Sequence, residues 1–330
     1  MTARVLTVIL NWRTADMTLR AVEAALVAMQ GIEGAITIVD NDSGDGSETV
    51  LRRAVAERGW NRVQVVQAGR NGGFGAGNNA GIRAGLPGGV AADYVHILNS
   101  DAFPAPDAIR LLLDHLEGHP QVGFAGSYIH GLEGDAHTTC FRFPTLWSEL
   151  EGAARTGPIT RALKRHVVPM QIPATGVMRV DWLAGCSLMM RRSVLDRIGL
   201  FDETYFLYHE ETDLCLRAAR AGWPTDYVRG SEVAHIGSES TGMKRWARTP
   251  AYWFDSRRHY FTKNHGRGYF AAATLAHVAG GLIWRLRCAL ARRPVGDPPH
   301  FLRDLIAHSL STGTRSPQAK GAPSPSRSIP

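Results

Sequence analysis

Short apolar runs that stop abruptly at polar residues recur along the first two thirds of the chain, with helical-period patterns between them. Residues 5–10 form the first run, ending at Asn11-Trp12-Arg13. Thr14 or Asp16 then caps a helix on which Val22, Leu26 and Met29 recur at helical spacing, closed by Gly31 and Gly34. A second run, 35–39, ends in Asp40-Asn41-Asp42-Ser43-Gly44-Asp45-Gly46-Ser47 and precedes a helix over 48–58. A third, 63–67, leads into a glycine-rich stretch at 71–81 and a short helix. The fourth, 94–98, stops at Asn99, Ser100 and Asp101. Strands joined through helices by right-handed crossovers become neighbours in a parallel sheet. The pattern therefore predicts an α/β fold, a mostly parallel sheet with flanking helices.

Further along, a helix is expected over 106–116 and a strand over 122–125. Residues 130–179, with scattered Gly and Pro, read as irregular. Apolar character returns at 180–190, and a short helix follows at 193–198. A helix over 210–221, closed by Gly222, carries Glu210-Glu211-Thr212-Asp213, with Asp213 and Arg217 one turn apart. Residues 268–284 make a 17-residue, mainly apolar run containing His277 and followed by Arg285, Arg287, Arg292 and Arg293. Such a run can span a membrane, lie in its interface or pack on the domain; the flanking arginines favour the interface. The last stretch, 311–330, is rich in Ser, Pro, Gly and Arg and is expected to be disordered. The organisation expected is one domain over 1–265, a basic and apolar helical extension over 266–310, and the tail.

Charge changes the picture once it is divided. Residues 1–240 carry 22 Lys and Arg against 27 Asp and Glu, whereas 241–330 carry 15 against 3. The basic excess is C-terminal and points to an anionic partner, a membrane surface or a nucleic acid. Lys244-Arg245-Trp246 and Tyr252-Trp253-Phe254 could stack bases or pack a terminal helix; packing is the reading preferred, with no nucleic acid expected. The four cysteines, Cys140, Cys186, Cys215 and Cys288, form no CxxC pair, which argues against a zinc ribbon or a disulfide scaffold. The chain opens on a strand rather than a signal peptide, so a cytoplasmic location, at the inner membrane face, is expected.

Chemistry concentrates at strand ends and one helix start. In a parallel α/β sheet, Asp101 would project into the crevice beyond the strands, where a carboxylate can hold a divalent cation and the cation a diphosphate; the plainer alternative is a turn cap before Pro104 and Pro106. Asp40 to Ser43 and Glu210 to Asp213 are two further polar groups, and together the three invite a site for a nucleotide and a metal. Gly75-Ala76-Gly77-Asn78-Asn79-Ala80 is a literal G-x-G-x-x-A. It follows the third strand rather than the first, and Asp93 precedes the fourth strand instead of ending a second, which argues against a dinucleotide fingerprint.

These residues resemble the family 2 glycosyltransferases of GT-A fold, in particular the rhamnosyltransferase-like branch of bacterial surface polysaccharide biosynthesis. The resemblance rests on residues 8–11 with Asp40-Asn41-Asp42-Ser43, on Asn71-Gly72-Gly73-Phe74-Gly75 with Asn78-Asn79-Ala80-Gly81, on Leu98-Asn99-Ser100-Asp101, and on Gly199-Leu200-Phe201-Asp202-Glu203 through Glu210-Glu211-Thr212-Asp213-Leu214-Cys215-Leu216-Arg217. It implies an inverting, metal-dependent transfer of a sugar, rhamnose among the candidates, from a UDP- or dTDP-sugar to a glycan or polyprenyl-linked acceptor. By resemblance, Asp40 would bind the pyrimidine ring, and Asn11, Asn41, Ser43, Gly73, Asn78 and Asn99 would surround the nucleotide. Asp101 and His235 would hold Mg²⁺ or Mn²⁺. Glu211 would be the general base, with Glu210 and Asp213 as competitors, because the family's usual pair is Glu-Asp and this chain has Glu-Glu. Trp182, Gly185 and Cys186 would line the acceptor or sugar pocket, with a place in the core the equal alternative for the tryptophan, and the irregular 130–179 stretch would supply acceptor-facing loops. A non-catalytic binder of sugar nucleotides or nucleic acid on the same scaffold is the alternative.

Overall fold

The computed structural model describes residues 3–237 and 247–311. Ser238 of the segment after His235, Lys244-Arg245-Trp246 and the tail beyond Ser311 lie outside the described residues. The chain begins with β1 (Arg4–Asn11), α1 (Ala15–Ala28), β2 (Glu33–Asp40), α2 (Ser47–Glu57), β3 (Val63–Gln67), α3 (Gly73–Ala84) and β4 (Tyr94–Asn99). It continues through β5 (Ala102–Pro104), α4 (Ala108–Gly118), β6 (Phe124–His130), β7 (Cys140–Phe141), α5 (Leu146–Ala154) and α6 (Gly157–Ala162). Then come β8 (Val177–Val180), β9 (Trp182–Leu183), β10 (Ser187–Arg191), α7 (Arg192–Ile198), α8 (Glu210–Arg220) and β11 (Thr225–His235). Three helices close the described chain: α9 (Ala251–His265), α10 (Arg267–Leu290) and α11 (Phe301–Leu310).

The strand order is β3-β2-β1-β4-β10-β6-β11-β5, with β8 added beside β11. β1, β2, β3 and β4 are mutually parallel, as are β6 and β11, whereas β10 runs antiparallel to β4 and β6. Alternation along the strands fills two cores. Val5, Ile9, Ile36 and Ile38 face α1, α2 and α4, and Leu6, Val8, Ala35 and Val39 face α3, α7 and α8.

Two parts of the chain depart from the sequence reading. The stretch expected to be irregular contains α5, whose start is fixed by a capping box: Ser148 N–H donates to Thr145 Oγ1 at 3.1 Å and Thr145 N–H to Ser148 Oγ at 2.8 Å. That Thr-x-x-Ser signal precedes Leu146 and Leu150 and was available to read. The apolar run at 268–284 lies inside the longer α10, which packs one side on α5 through Gly280 and on α9 through Phe270 and Ala273. No helix among the described residues is long and apolar enough to cross a membrane, so the spanning alternative does not hold for this run.

Candidate active site

A cavity of about 710 Å³ opens at the carboxyl ends of β1 and β4. β1 has β2 on one side and β4 on the other, so the parallel crossovers diverge here and leave a crevice between them. Asn41, Gly73, Asn99, Asp101, Gly185, Cys186, Glu210, Glu211 and His235 all line it. Residues spread across the chain thus meet in one place.

On the β1–β2 side the sheet register sets Asn11 opposite Asp40. Asn11 Nδ2 and Ser43 Oγ donate to Asp40 Oδ1 at 2.7 and 2.5 Å, while Ser43 N–H and Gln67 Nε2 donate to Oδ2 at 3.2 and 3.0 Å. Four donors therefore occupy a carboxylate that is only 1% exposed. Asn11, Asp40 and Ser43 form a buried layer beside the cavity and are not among its lining residues. Asn41 does reach it. Its Nδ2 donates to Asn71 Oδ1 at 3.0 Å, and its own Oδ1 is buried without a partner. Asn78 is enclosed within α3, donating to the Phe74 carbonyl at 3.0 Å, and does not line the cavity.

At the end of β4, antiparallel pairing of β5 with β11 sets His235 opposite Ala102 and so beside Asp101. His235 Nε2 lies 3.0 Å from Asp101 Oδ1, and Gly237 N–H donates to Oδ2 at 3.2 Å. Burial opposes a charge on His235, but the Cys186 sulfur and the Asp101 carboxylate outweigh it and lift the imidazole pKa to about 10, so the ring has to give up its proton before it can ligate a cation. Among the described residues no group of three or more His, Cys, Asp or Glu could hold a metal by themselves. One carboxylate and one imidazole fit Mg²⁺ or Mn²⁺ bound chiefly through donor phosphate oxygens and water, the usual arrangement for such ions on nucleotides. No Lys or Arg is among the described residues that line the cavity.

The opposite wall is the first turn of α8. Glu211 Oε1 accepts from Gly185 N–H at 3.0 Å. The approach is close enough that a Cβ on Gly185 would fall 2.6 Å from that oxygen and would push the carboxylate or the Phe74 ring aside. Glu210 is 1% exposed and its Oε2 has no partner. Burial, and the charge of Glu211 beside it, push the Glu210 carboxyl well above the usual range; burial also raises Glu211, opposed by backbone N–H groups including that of Gly185. The Gly185 N–H favours the charged form at Glu211, whereas Glu210 keeps one carboxyl oxygen buried without a donor.

Asp213 is not brought to the cavity. It is fully buried and accepts from Arg217 Nε at 2.8 Å, Lys263 Nζ at 2.8 Å and Asn264 Nδ2 at 2.9 Å. Lys263 also reaches Asp202 at 2.9 Å, and Ser256 Oγ donates to the Leu207 carbonyl at 2.9 Å. Helix α9 thereby braces the segment that presents both glutamates. Trp182 likewise stays off the cavity, stacked on Phe141 at 4.3 Å and donating Nε1–H to the Arg142 carbonyl.

The candidate residues left out part of the lining: Trp12, Asn71, residues 206–208 and Tyr252; residues 135–139 belong to the stretch expected to supply acceptor-facing loops, although none of them was singled out. His137 stands with its ring 5.8 Å from that of His235. The turn that delivers it, closed by Gly131 N–H donating to the Asp135 carbonyl, lies in the stretch read as irregular, where no periodicity marks which residues face inward.

The fold and site define a GT-A glycosyltransferase. The chain belongs to the family described as Glycosyltransferase like family 2, whose sequence profile matches residues 3–261. It is 30% identical over 273 residues to the N-acetylglucosaminyl-diphospho-decaprenol L-rhamnosyltransferase of Mycobacterium tuberculosis, covering 78% of this chain and 81% of the relative. A shorter stretch of 56 residues is 43% identical to the rhamnosyltransferase WbbL of Escherichia coli, covering 17% of this chain and 21% of WbbL. Among solved structures, GalNAc-T7 with UDP, GalNAc and Mn²⁺ matches 93% of this chain and 54% of its own, with TM-score 0.57 and 14% identity. The mannosyltransferase PcManGT from Pyrobaculum calidifontis, with GDP-Man and Mn²⁺, matches 94% of this chain and 86% of its own, with TM-score 0.51 and 14% identity.

Proposed function

We propose that this glycosyltransferase inverts the anomeric centre as it moves a sugar, rhamnose being favoured, from a UDP- or dTDP-sugar to a polyprenyl-linked saccharide. The observation that carries this reading is one cavity holding the Asp101–His235 pair on one side and Glu211, fixed by Gly185, on the other. The choice of acceptor and sugar follows the mycobacterial relative, whose name gives both for that protein.

Asn41, with its unpartnered carbonyl oxygen, contacts the nucleobase, and the buried Asn11–Asp40–Ser43 layer holds the Asn41 backbone in place: Asn41 N–H donates to the Asn11 carbonyl at 2.9 Å. Asp101, and His235 once its ring is deprotonated, would hold the cation. When bound, Mg²⁺ or Mn²⁺ supplies the positive charge that a departing diphosphate needs in a cavity without lysine or arginine among its described lining. Glu211 removes the proton from the acceptor hydroxyl as that oxygen bonds to the anomeric carbon. The bond to the diphosphate breaks on the opposite face, and its electron pair leaves with the phosphate. Glu210 stays protonated beside it and adds no second negative charge.

The test is nucleotide release by the purified full chain with Mg²⁺ or Mn²⁺, dTDP- and UDP-sugars, and a polyprenyl-diphospho-N-acetylglucosamine acceptor. Acceptor-dependent release with a pyrimidine sugar nucleotide, and a product of inverted anomeric configuration, is expected. Donor binding without release in any combination would overturn the reading and leave a binder.

A further inference from the structure

The outer side of α10 is apolar along most of its length. From Gly268 to Leu286 every exposed residue of this helix is apolar. Leu275, Leu282, Leu286 and Leu290 are 69%, 58%, 61% and 78% exposed. With Ala272 and Ala279 they recur at spacings of three and four, which lines them up as one stripe roughly 30 Å long. A helix on a water-facing surface normally turns its charged residues outward. Here they are at the ends.

The helix is not free to roll this stripe inward. A Cβ at Gly280 would come within 2.6 Å of the Leu150 carbonyl oxygen, so the inner side sits directly on the α5 backbone. His277 joins the buried ion pair of Glu149 with Arg257, at 2.7 and 2.8 Å from the same carboxylate oxygen. On α11, Ile306 and Leu310 add further exposed apolar area, 40% and 77% exposed.

Charge selects what covers the stripe. Residues 241–330 carry 15 Lys and Arg against 3 Asp and Glu. Of those acids, Asp297 and Asp304 are already paired with Arg155 and Arg248. A second copy of the chain on this face would set one arginine-rich region against another. A surface of anionic headgroups over an apolar interior complements both features.

We propose that α10 and α11 seat the enzyme on an anionic membrane surface, the leucine stripe entering the boundary between headgroups and acyl chains and the exposed Arg292 and Arg293 meeting the phosphates. This is independent of which sugar moves, and it suits the proposed lipid-linked acceptor. The seat connects to the site through α9: Tyr252 lines the cavity, while the adjacent Trp253 and Phe254 pack on Phe301 of α11.

The test is co-sedimentation of the full chain with phosphatidylcholine vesicles, with and without phosphatidylglycerol, alongside Leu282→Glu/Leu286→Glu and Arg292→Gln/Arg293→Gln. Both pairs are exposed, and nucleotide affinity by calorimetry reports that each variant is folded. Wild type should bind phosphatidylglycerol vesicles, the glutamate variant should lose at least about tenfold in partitioning, and the glutamine variant should lose several-fold, as should wild type in high salt. The proposal is overturned if wild type ignores anionic vesicles or if the glutamate variant binds as wild type does. A vesicle-free dimer that the same leucine substitutions split would also overturn it, assigning the stripe to a second copy. Failure of the donor assay with vesicle binding intact would count against the catalytic reading alone.

Discussion

The two walls of the cavity are built on different principles. On the nucleotide side, Asn11, Asp40, Asn99 and Asp101 stand at or just past the ends of parallel strands, and the register that fixes the sheet fixes them too. On the side proposed for the acceptor, Glu210 and Glu211 start a helix whose preceding segment is clamped from elsewhere: by Asn79 of α3, which donates to the Phe201 carbonyl at 2.8 Å, and by Ser256 and Lys263 of α9. The first wall is a property of backbone topology. The second depends on side chains far away in the chain, Asn79 being 122 positions from Phe201, and its geometry should be correspondingly easier to disturb by substitutions outside the site.

That contrast can be broken at several points. Asp101→Asn should lower turnover roughly a thousandfold or more in a protein that still folds, and EDTA should lower wild-type turnover likewise, because Asp101 is the carboxylate proposed for the cation. Full activity in excess chelator would remove the metal from the account. Arg257→Ala should destabilise the fold by about 3–5 kcal/mol in denaturant unfolding, because it leaves Glu149 buried without its principal partner. A loss below about 1 kcal/mol would mean that the C-terminal helices are not held through this pair. Acid should act on the same group. Burial opposes its charge, but Arg257 and His277 hold the Glu149 carboxyl down to about 2, so its contribution is present above the ordinary value of 4.5 and is lost as pH falls from there toward 2. Glu149→Gln should flatten the acid side of the stability profile over that window.

Smaller effects sharpen the comparison. Asp40→Ala removes the acceptor of four hydrogen bonds beneath the nucleotide wall and should weaken UDP or dTDP binding about tenfold to a hundredfold by calorimetry. Unchanged affinity would show that this layer does not shape the pocket. Lys263→Met should lower kcat by about tenfold with nucleotide affinity retained, and Lys263→Arg should recover part of it, since the residue acts only through the placement of α8. Equal losses in kcat and nucleotide affinity would make its role global rather than positional.

Legibility in the sequence follows the same division. Apolar runs ending in Asn11, Asp40 and Asp101 announced both the sheet and the polar rim, because strand ends on one edge of a parallel sheet converge whatever the loops do. The nine predicted residues that line the cavity came from such local signals together with family resemblance. What sequence could not show was depth. Asp40 and Asn41 are adjacent, yet only Asn41 reaches the cavity; Asp213 and Glu211 are two positions apart on one helix, yet point to a buried ion network and to the cavity respectively. Helix α5 was missed because its capping box sits among glycines and prolines, and its partner α10 lies more than a hundred residues later. Trp182 was placed in the pocket beside the family resemblance, with the core as its alternative, and its stacking on Phe141, a contact between β7 and β9, puts it in the core.

The assignment of Glu211 over Glu210 is the central claim, and single-turnover kinetics on Glu211→Gln and Glu210→Gln, measured across pH with nucleotide affinity in parallel, test it most directly. Burial raises the Glu211 carboxyl above its ordinary 4.5, so wild-type activity should fall on the acid side at a pH above that value, as the base takes up its proton. Glu211→Gln should lose roughly 10²- to 10⁴-fold in rate, lose that acid limb and bind nucleotide as wild type does. Glu210→Gln, which replaces a carboxyl whose charge burial and the neighbouring Glu211 disfavour, should retain most of the rate. The opposite pattern, an active Glu211→Gln beside an inactive Glu210→Gln, would contradict the account and move the base one residue back along α8.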